Sequence, residues 1–261
     1  MAERYDAVDT RFHRLVTIKM LQVLPGEDEQ VAALFAHEAT LLSHLNHPSL
    51  PRVHDFFREG DRQFHVMDFV DGRLLTDVFE QDGHIAGLSG ARGVAQGRAR
   101  TWTWQLCQVL EYLHRQSPPL IFLDLKATTV IITSRDETRL IDFGMVPPVS
   151  PYPQSTMLLR VGYAPPEQLQ GMPEPRSDLY ALGATLHRSL TDHDASKNQP
   201  SVFSFPPLRA LRPDISPAFE AVIMKALSPS LEQRWQSAAN MQRALSNLPP
   251  LHTQRFSFFD A

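Results

Sequence analysis

Cysteine is all but missing from this chain: Cys107 is the only one in 261 residues. An intramolecular disulfide and a cysteine-built zinc site are both excluded. That usage fits a reducing compartment such as the cytoplasm. Lysine is also scarce. Of the 25 basic residues only Lys19, Lys126, Lys197 and Lys225 are lysine, so arginine is the default cation and each lysine stands out against it. Glycine is absent from the start, the first being Gly26. No apolar run approaches the roughly 18 residues of a membrane span. Met1-Ala2-Glu3-Arg4-Tyr5 carries no apolar signal-peptide core. The net charge of −4 gives no excess of positive charge for a nucleic-acid partner. No repeat of solenoid period is visible.

What is present is an ordinary globular composition, 43% apolar and 21% charged. The length allows one large domain or two small ones with a sizeable core. Leu15 to Leu24 is a β-rich apolar run interrupted by Lys19. Val31, Leu34, Phe35, Leu42 and Leu45 recur at helical spacing, and His47-Pro48-Ser49-Leu50-Pro51 ends that helix. Val53 to Phe57 and Gln63 to Val70 read as two strands joined at Arg58-Glu59-Gly60-Asp61. Five of the twelve glycines fall within 81–98, which reads as a surface loop. Trp102, Leu106, Val109, Leu110 and Leu113 form an apolar helical stripe. Thr129 to Ile132 and Leu140-Ile141 predict a short hairpin, followed by an irregular proline-rich segment over 147–166. Asp178 to Leu190 is apolar nearly all round, the pattern of a buried helix. Ser216-Pro217 and Ser237 open two more helices with capping serines.

Two clusters carry chemistry. Glu38 falls on the apolar face of the first helix, seven residues after Val31 and four before Leu42. A buried carboxylate is costly unless a cation meets it, and Lys19 is the natural partner. A solvated lysine at a strand edge and a glutamate at a helix rim fit that pair alone equally well. Then Asp124 and Asp142 flank the hairpin and bring two carboxylates, with Lys126, towards one spot. Carboxylates suit Mg²⁺, and lysine is a point-charge phosphate binder.

With Asp142-Phe143-Gly144 eighteen residues after Asp124-Leu125-Lys126, the chain resembles the protein kinase family, and within it the bacterial serine/threonine kinases. Val16-Thr17-Ile18-Lys19 resembles the strand motif V-A-I-K, and Glu38 its helix partner. Phe122 to Lys126 resembles the catalytic loop, and Ala164-Pro165-Pro166-Glu167 resembles A-P-E. Asp178 and Arg234 match the aspartate that braces the catalytic loop and the arginine that pairs with the A-P-E glutamate. The resemblance runs from about Tyr5 to Leu248. It implies an α+β, two-lobed fold: a small β-rich N-lobe over 1–70, short of its first strand and glycine-rich loop, a larger helical C-lobe over 71–248, and a tail over 249–261. It implies a cleft for ATP and Mg²⁺. Lys19 and Glu38 would serve the α- and β-phosphates, with Met67 at the back of the adenine pocket and Asp68-Phe69-Val70 as the hinge. Asp142 and the residue at 129 would hold metal. Asp124 would orient a protein substrate's hydroxyl, and Lys126 would offset charge on the transferred group. Phe143, Gly144, Glu167, Asp178 and Arg234 would be structural.

The departures are as informative. Lys19 leaves eighteen residues upstream, too few for the glycine-rich loop. Either the start lies upstream of Met1 or the backbone cover over the phosphates is lacking. Thr129 replaces the metal-binding asparagine. Leu123 replaces the arginine that reads a phosphorylated activation loop, so control through Ser155 or Thr156 loses its receiver. Phe122 replaces histidine. Arg160 replaces a threonine that hydrogen-bonds the catalytic aspartate and lysine. These substitutions predict weak or absent phosphotransfer and a pseudokinase regulator or scaffold with a protein partner. The alternative is an active serine/threonine kinase whose start omits the loop. The remaining signals are bland. His44 and His47 lack a third metal ligand, Cys107 reads as a small buried residue, and Trp102 and Trp104 read as core and rim. The tail Arg255-Phe256-Ser257-Phe258-Phe259 is a candidate contact for a partner or a second copy.

Overall fold

The computed structural model describes residues 3–23, 29–81, 93–142, 163–197 and 204–250. Its first layer is an antiparallel sheet of β1 (Glu3–Asp9), β2 (Arg14–Gln22), β3 (Val53–Glu59) and β4 (Arg62–Asp68), in the order β1-β2-β4-β3. The β-branched run Val16-Thr17-Ile18 sits in β2, where such side chains pack well on a pleat. Helix α1 (Glu29–His44) lies against β3 and β4 and stops before Pro48.

The sheet differs from the sequence reading in two respects. Glu3–Asp9 is a strand in its own right, paired along its length with β2. Its polar, charge-rich pattern hid it, because an edge strand with both faces wet shows no apolar alternation. β4 ends at Asp68, two residues short of the expected end, where the chain leaves the sheet.

The second layer begins with β5 (Arg73–Leu74) and α2 (Leu75–Gln81). Helix α3 (Gln96–His114) then starts inside the segment expected to be loop, and residues 82–92 of that segment lie outside the described residues. The hairpin β6 (Val130–Ile132) and β7 (Thr138–Leu140) follows and pairs with β5. Next come α4 (Pro166–Leu169), α5 (Pro175–Thr191), α6 (Leu208–Leu211), α7 (Pro217–Ala226) and α8 (Ala238–Ser246). Proline at the first turn opens α5 and α7, where a missing N–H costs nothing. Ser216 and Ser237 accept hydrogen bonds from Phe219 and Asn240, as expected of capping serines.

α5 is buried on almost every side and forms the axis of this layer. Trp102, Leu106 and Leu110 of α3, Tyr180 and Leu182 of α5, Phe219 and Ile223 of α7 and Met241 of α8 share one apolar core. Leu42, Leu45 and Leu50 belong to the same core. The end of α1 is therefore anchored in the helical layer although its middle, at Phe35 and Glu38, lies against the sheet. Two backbone contacts reinforce the junction: Asn46 N–H donates to the Tyr112 hydroxyl at 2.8 Å, and Leu140 N–H to the Ser49 carbonyl at 2.9 Å. Among the described residues no helix is long and apolar enough to cross a membrane.

Candidate functional site

The candidate cleft is the junction of the two layers, where Lys19 of β2 comes within 3.9 Å of Asp142. Lys19 points from β2 towards α1. Its Nζ lies 2.8 Å from both carboxylate oxygens of Glu38, and both residues are buried. Burial removes each charge from water, and each offsets the cost of burying the other. Phe35, one turn before Glu38, puts its ring 5.7 Å from the ammonium and stacks on His65 at 3.7 Å. Burial first, and the Lys19 charge second, push the His65 pKa down to about 4.

Met67 is buried at the end of β4. The Asp68 carboxylate turns towards β3, accepting from the Arg52 N–H at 3.0 Å and lying 2.7 Å from His54 Nε2. Among the described residues no hydrogen bond engages the backbone of Val70, which leaves its donor and acceptor open at the layer junction.

The floor is built by α5. Asp178, fully buried, accepts from the N–H groups of Phe122 and Leu123 at 2.9 and 2.8 Å and lies 2.8 Å from His114 Nε2. These bonds fix a strained turn: Leu123 has φ +64°, a conformation costing a non-glycine residue about 1–2 kcal/mol. Gln168 donates to the Leu123 carbonyl at 3.2 Å from the other side. Phe122 fills the core beneath. The loop then presents Asp124, whose carboxylate is ion-paired with Lys126. Thr129 is buried with its hydroxyl turned into the loop, accepting from Lys126 N–H at 3.1 Å and donating to the Asp124 carbonyl at 2.9 Å. It thus braces the loop rather than facing the cleft.

Asp142 closes the cleft just beyond β7, also at positive φ, which aspartate tolerates. Its Oδ2 is 3.3 Å from Arg4 Nη1 and its Oδ1 is 3.9 Å from Lys19 Nζ. Each oxygen of this carboxylate faces a cation.

A second ion pair lies behind the floor. Glu167 of α4 accepts from Arg234 Nη1 at 2.6 Å and from the Ser177 hydroxyl at 2.8 Å, all three being buried. Burial alone pushes the Glu167 carboxyl up. Arg234 and Ser177 outweigh it and hold the pKa below the usual carboxylate range. Arg234 also donates to the Arg176 and Ser228 carbonyls, which ties three segments together.

The structure therefore brings Lys19, Glu38 and Asp142 together on one side of the cleft, and Asp124, Lys126 and Thr129 into one loop. Glu167, Asp178 and Arg234 stand behind them. Phe143, Gly144 and Arg160 lie outside the described residues, as do Ser155 and Thr156. Three members had escaped sequence reasoning. Arg4 is placed by the β1–β2 register, while His114 and Gln168 reach the loop from distant helices. The bland signals resolve locally. His44 bonds its own helix at Thr40, His47 accepts from Ser49, and Cys107 is fully buried, which pushes its thiol pKa up.

The donors present suit a divalent cation poorly. Asp142 is shared by two cations, and the Thr129 hydroxyl is spent inside the loop.

Comparison with known proteins comes from three directions. A family model described as protein kinase domain matches residues 1–243. The serine/threonine-protein kinase PknB of Mycolicibacterium smegmatis is 29% identical over 94% of this chain, and that of Mycobacterium leprae is 30% identical over 96%. The chain spans about two fifths of the length of these relatives, 40% and 42% respectively. Among solved structures, the Mycobacterium tuberculosis PknI kinase domain superposes with a TM-score of 0.73 at 24% identity, covering 94% of this chain and 90% of that one. The apo form of PpkA-294 gives 0.74 at 22% identity, covering 94% and 91%.

Proposed function

Because the chain belongs to the protein kinase family, we propose that its cleft binds an adenine nucleotide and transfers phosphate weakly or not at all, the chain acting as a serine/threonine-kinase-like regulator or scaffold for a protein partner. The family acts on protein substrates and uses ATP with Mg²⁺, which supplies positive charge at the transferred phosphate. The single observation that carries the reading is the split state of the machinery. The nucleotide-side pair, Lys19 with Glu38, is assembled at 2.8 Å. The metal side is not equipped: Thr129 spends its hydroxyl within the loop and Asp142 already faces two cations.

The chain's own residues divide the work accordingly. Lys19, held upright by Glu38, meets the phosphates. Met67 backs the base, and the open backbone of Val70 offers it hydrogen bonds. Lys126 neutralises Asp124.

The alternative, an active kinase, draws on the same assembled Lys19–Glu38 pair and on the braced loop around Asp124. ATP titration followed by unfolding temperature tests the nucleotide half of the reading. Wild type is expected to gain stability with ATP. A Lys19→Met/Glu38→Gln double variant, which removes both charges together, is expected to gain none. A double variant that responds to ATP like wild type contradicts the placement of the site.

A further inference from the structure

We propose that Arg4 takes the place of the divalent cation at Asp142, so that this cleft holds a nucleoside di- or triphosphate without needing metal. The inference rests on the nucleotide reading of the cleft and adds to it a residue, a metal requirement and a ligand preference.

The β1–β2 register sets Arg4 directly opposite Lys19. Cross-strand partners point to the same face of a sheet, so both cations project into the cleft from neighbouring strands. Arg4 Nη1 lies 3.3 Å from Asp142 Oδ2, and Lys19 Nζ lies 3.9 Å from the other oxygen. Around this point stand two fixed positive charges, Arg4 and Lys19, and two negative ones, Asp142 and Glu38. The cluster is neutral before any ion arrives. A dication placed on Asp142 brings two further positive charges against two cations, and must displace Arg4 to gain full use of the carboxylate.

Arginine is suited to the substitution. Its guanidinium stays charged at any working pH and carries five N–H donors in a planar fork that matches phosphate oxygens. Among the described residues the bond to Asp142 is the only one the Arg4 side chain makes, so its other guanidinium N–H groups remain for a ligand. The side chain is about one-third exposed, so solvent and ligands can reach it. A polyphosphate entering beside Lys19 meets the Arg4 guanidinium, which holds Asp142 at the same time. Adenosine and AMP, which place less charge there, are expected to bind less well than ADP and ATP.

The test is ATP affinity by calorimetry on the full chain, in EDTA and in excess Mg²⁺. Wild type is expected to bind with dissociation constants within about threefold of each other. Arg4→Met is expected to lose about tenfold in EDTA and to recover when Mg²⁺ is added, because the vacated carboxylate then takes the ion. Its unfolding temperature without nucleotide should stay near that of wild type, since a partly exposed ion pair contributes little. Wild-type binding that requires Mg²⁺ overturns the proposal and leaves the nucleotide reading standing. So does an Arg4→Met variant that binds like wild type in EDTA. An Arg4→Met variant that binds more tightly in Mg²⁺ than wild type also overturns it, and makes Arg4 a plug. No binding by folded wild type in either buffer overturns the nucleotide reading and this inference with it.

Discussion

At the scale of single residues, the cleft is a problem of buried charge. Lys19 and Glu38 are each buried, and removing either takes away the other's closest counter-charge. Lys19→Met is expected to destabilise the fold by about 3–5 kcal/mol, and adding Glu38→Gln to return a large part of that loss. Chemical unfolding of the two single variants and the double variant reads the coupling, and strict additivity contradicts it. The pair was legible because a lysine breaking an apolar strand and a glutamate on an apolar helix face are each anomalous, and each answers the other. Arg4 was not legible. Nothing in Glu3-Arg4-Tyr5 marks it, and its place depends on a hairpin register fixed by the turn after Asp9, whose carboxylate accepts from the Arg11 and Phe12 N–H groups.

Two histidines give the fold a pH profile. Burial is the main cause in both His65 and His187, aided by Lys19 in the first and by the neighbouring His193 in the second, and both pKa values fall to about 4 from 6.5. The unfolded chain takes up these protons first as pH falls. Stability is therefore full above pH 6.5 and is lost between there and about pH 4, by on the order of 3 kcal/mol for each. Glu167 adds a further loss below its ordinary value of 4.5, because its folded pKa is depressed. Urea midpoints across this range are expected to fall, and His65→Phe to flatten part of the slope. An unchanged slope in that variant contradicts the assignment.

At the scale of elements, the turn at Phe122-Leu123 and the α4–α5 corner are held from behind by buried polar groups. Arg234→Met leaves Glu167 buried without its cation and is expected to cost about 3–5 kcal/mol, measured by chemical unfolding, with a residual stability near wild type counting against the brace. Gly93 shows the same dependence on backbone contact. At φ +126° an added Cβ lies 2.1 Å from the Leu190 carbonyl oxygen, in a segment that already bonds α5 through Val94 N–H to Ser189. Gly93→Ala is expected to destabilise by about 1–3 kcal/mol or more, and a variant as stable as wild type contradicts the close approach. Helices α3, α5, α7 and α8 were readable from apolar spacing and capping serines, since local signals specify them. β1 and β5 were not. One is a polar edge strand and the other two residues long, and only long-range pairing makes them strands.

At the scale of the whole molecule, one helix couples the two layers. Midway along α1 Glu38 meets Lys19 of the sheet, and Leu42 near its end, with Leu45 just beyond, lies in the core of the helical layer. Glu38 and Lys19 sit on different elements, so their 2.8 Å contact reports that α1 is docked against β2. The two-lobed architecture was legible from element order and motif spacing. The state of the machinery was only partly so. The substitutions at Leu123 and Thr129 stand in the sequence, but the direction of the Thr129 hydroxyl and the capture of Asp142 by Arg4 arise from packing.

The central claim, a nucleotide cleft with little phosphotransfer, is tested most directly by single-turnover transfer from γ-labelled ATP to the protein itself and to a generic basic protein, comparing wild type with Asp124→Asn. The account predicts that folded, nucleotide-binding wild type transfers no more label than the variant. Label incorporated by wild type and lost in Asp124→Asn contradicts it, and makes this chain a working kinase.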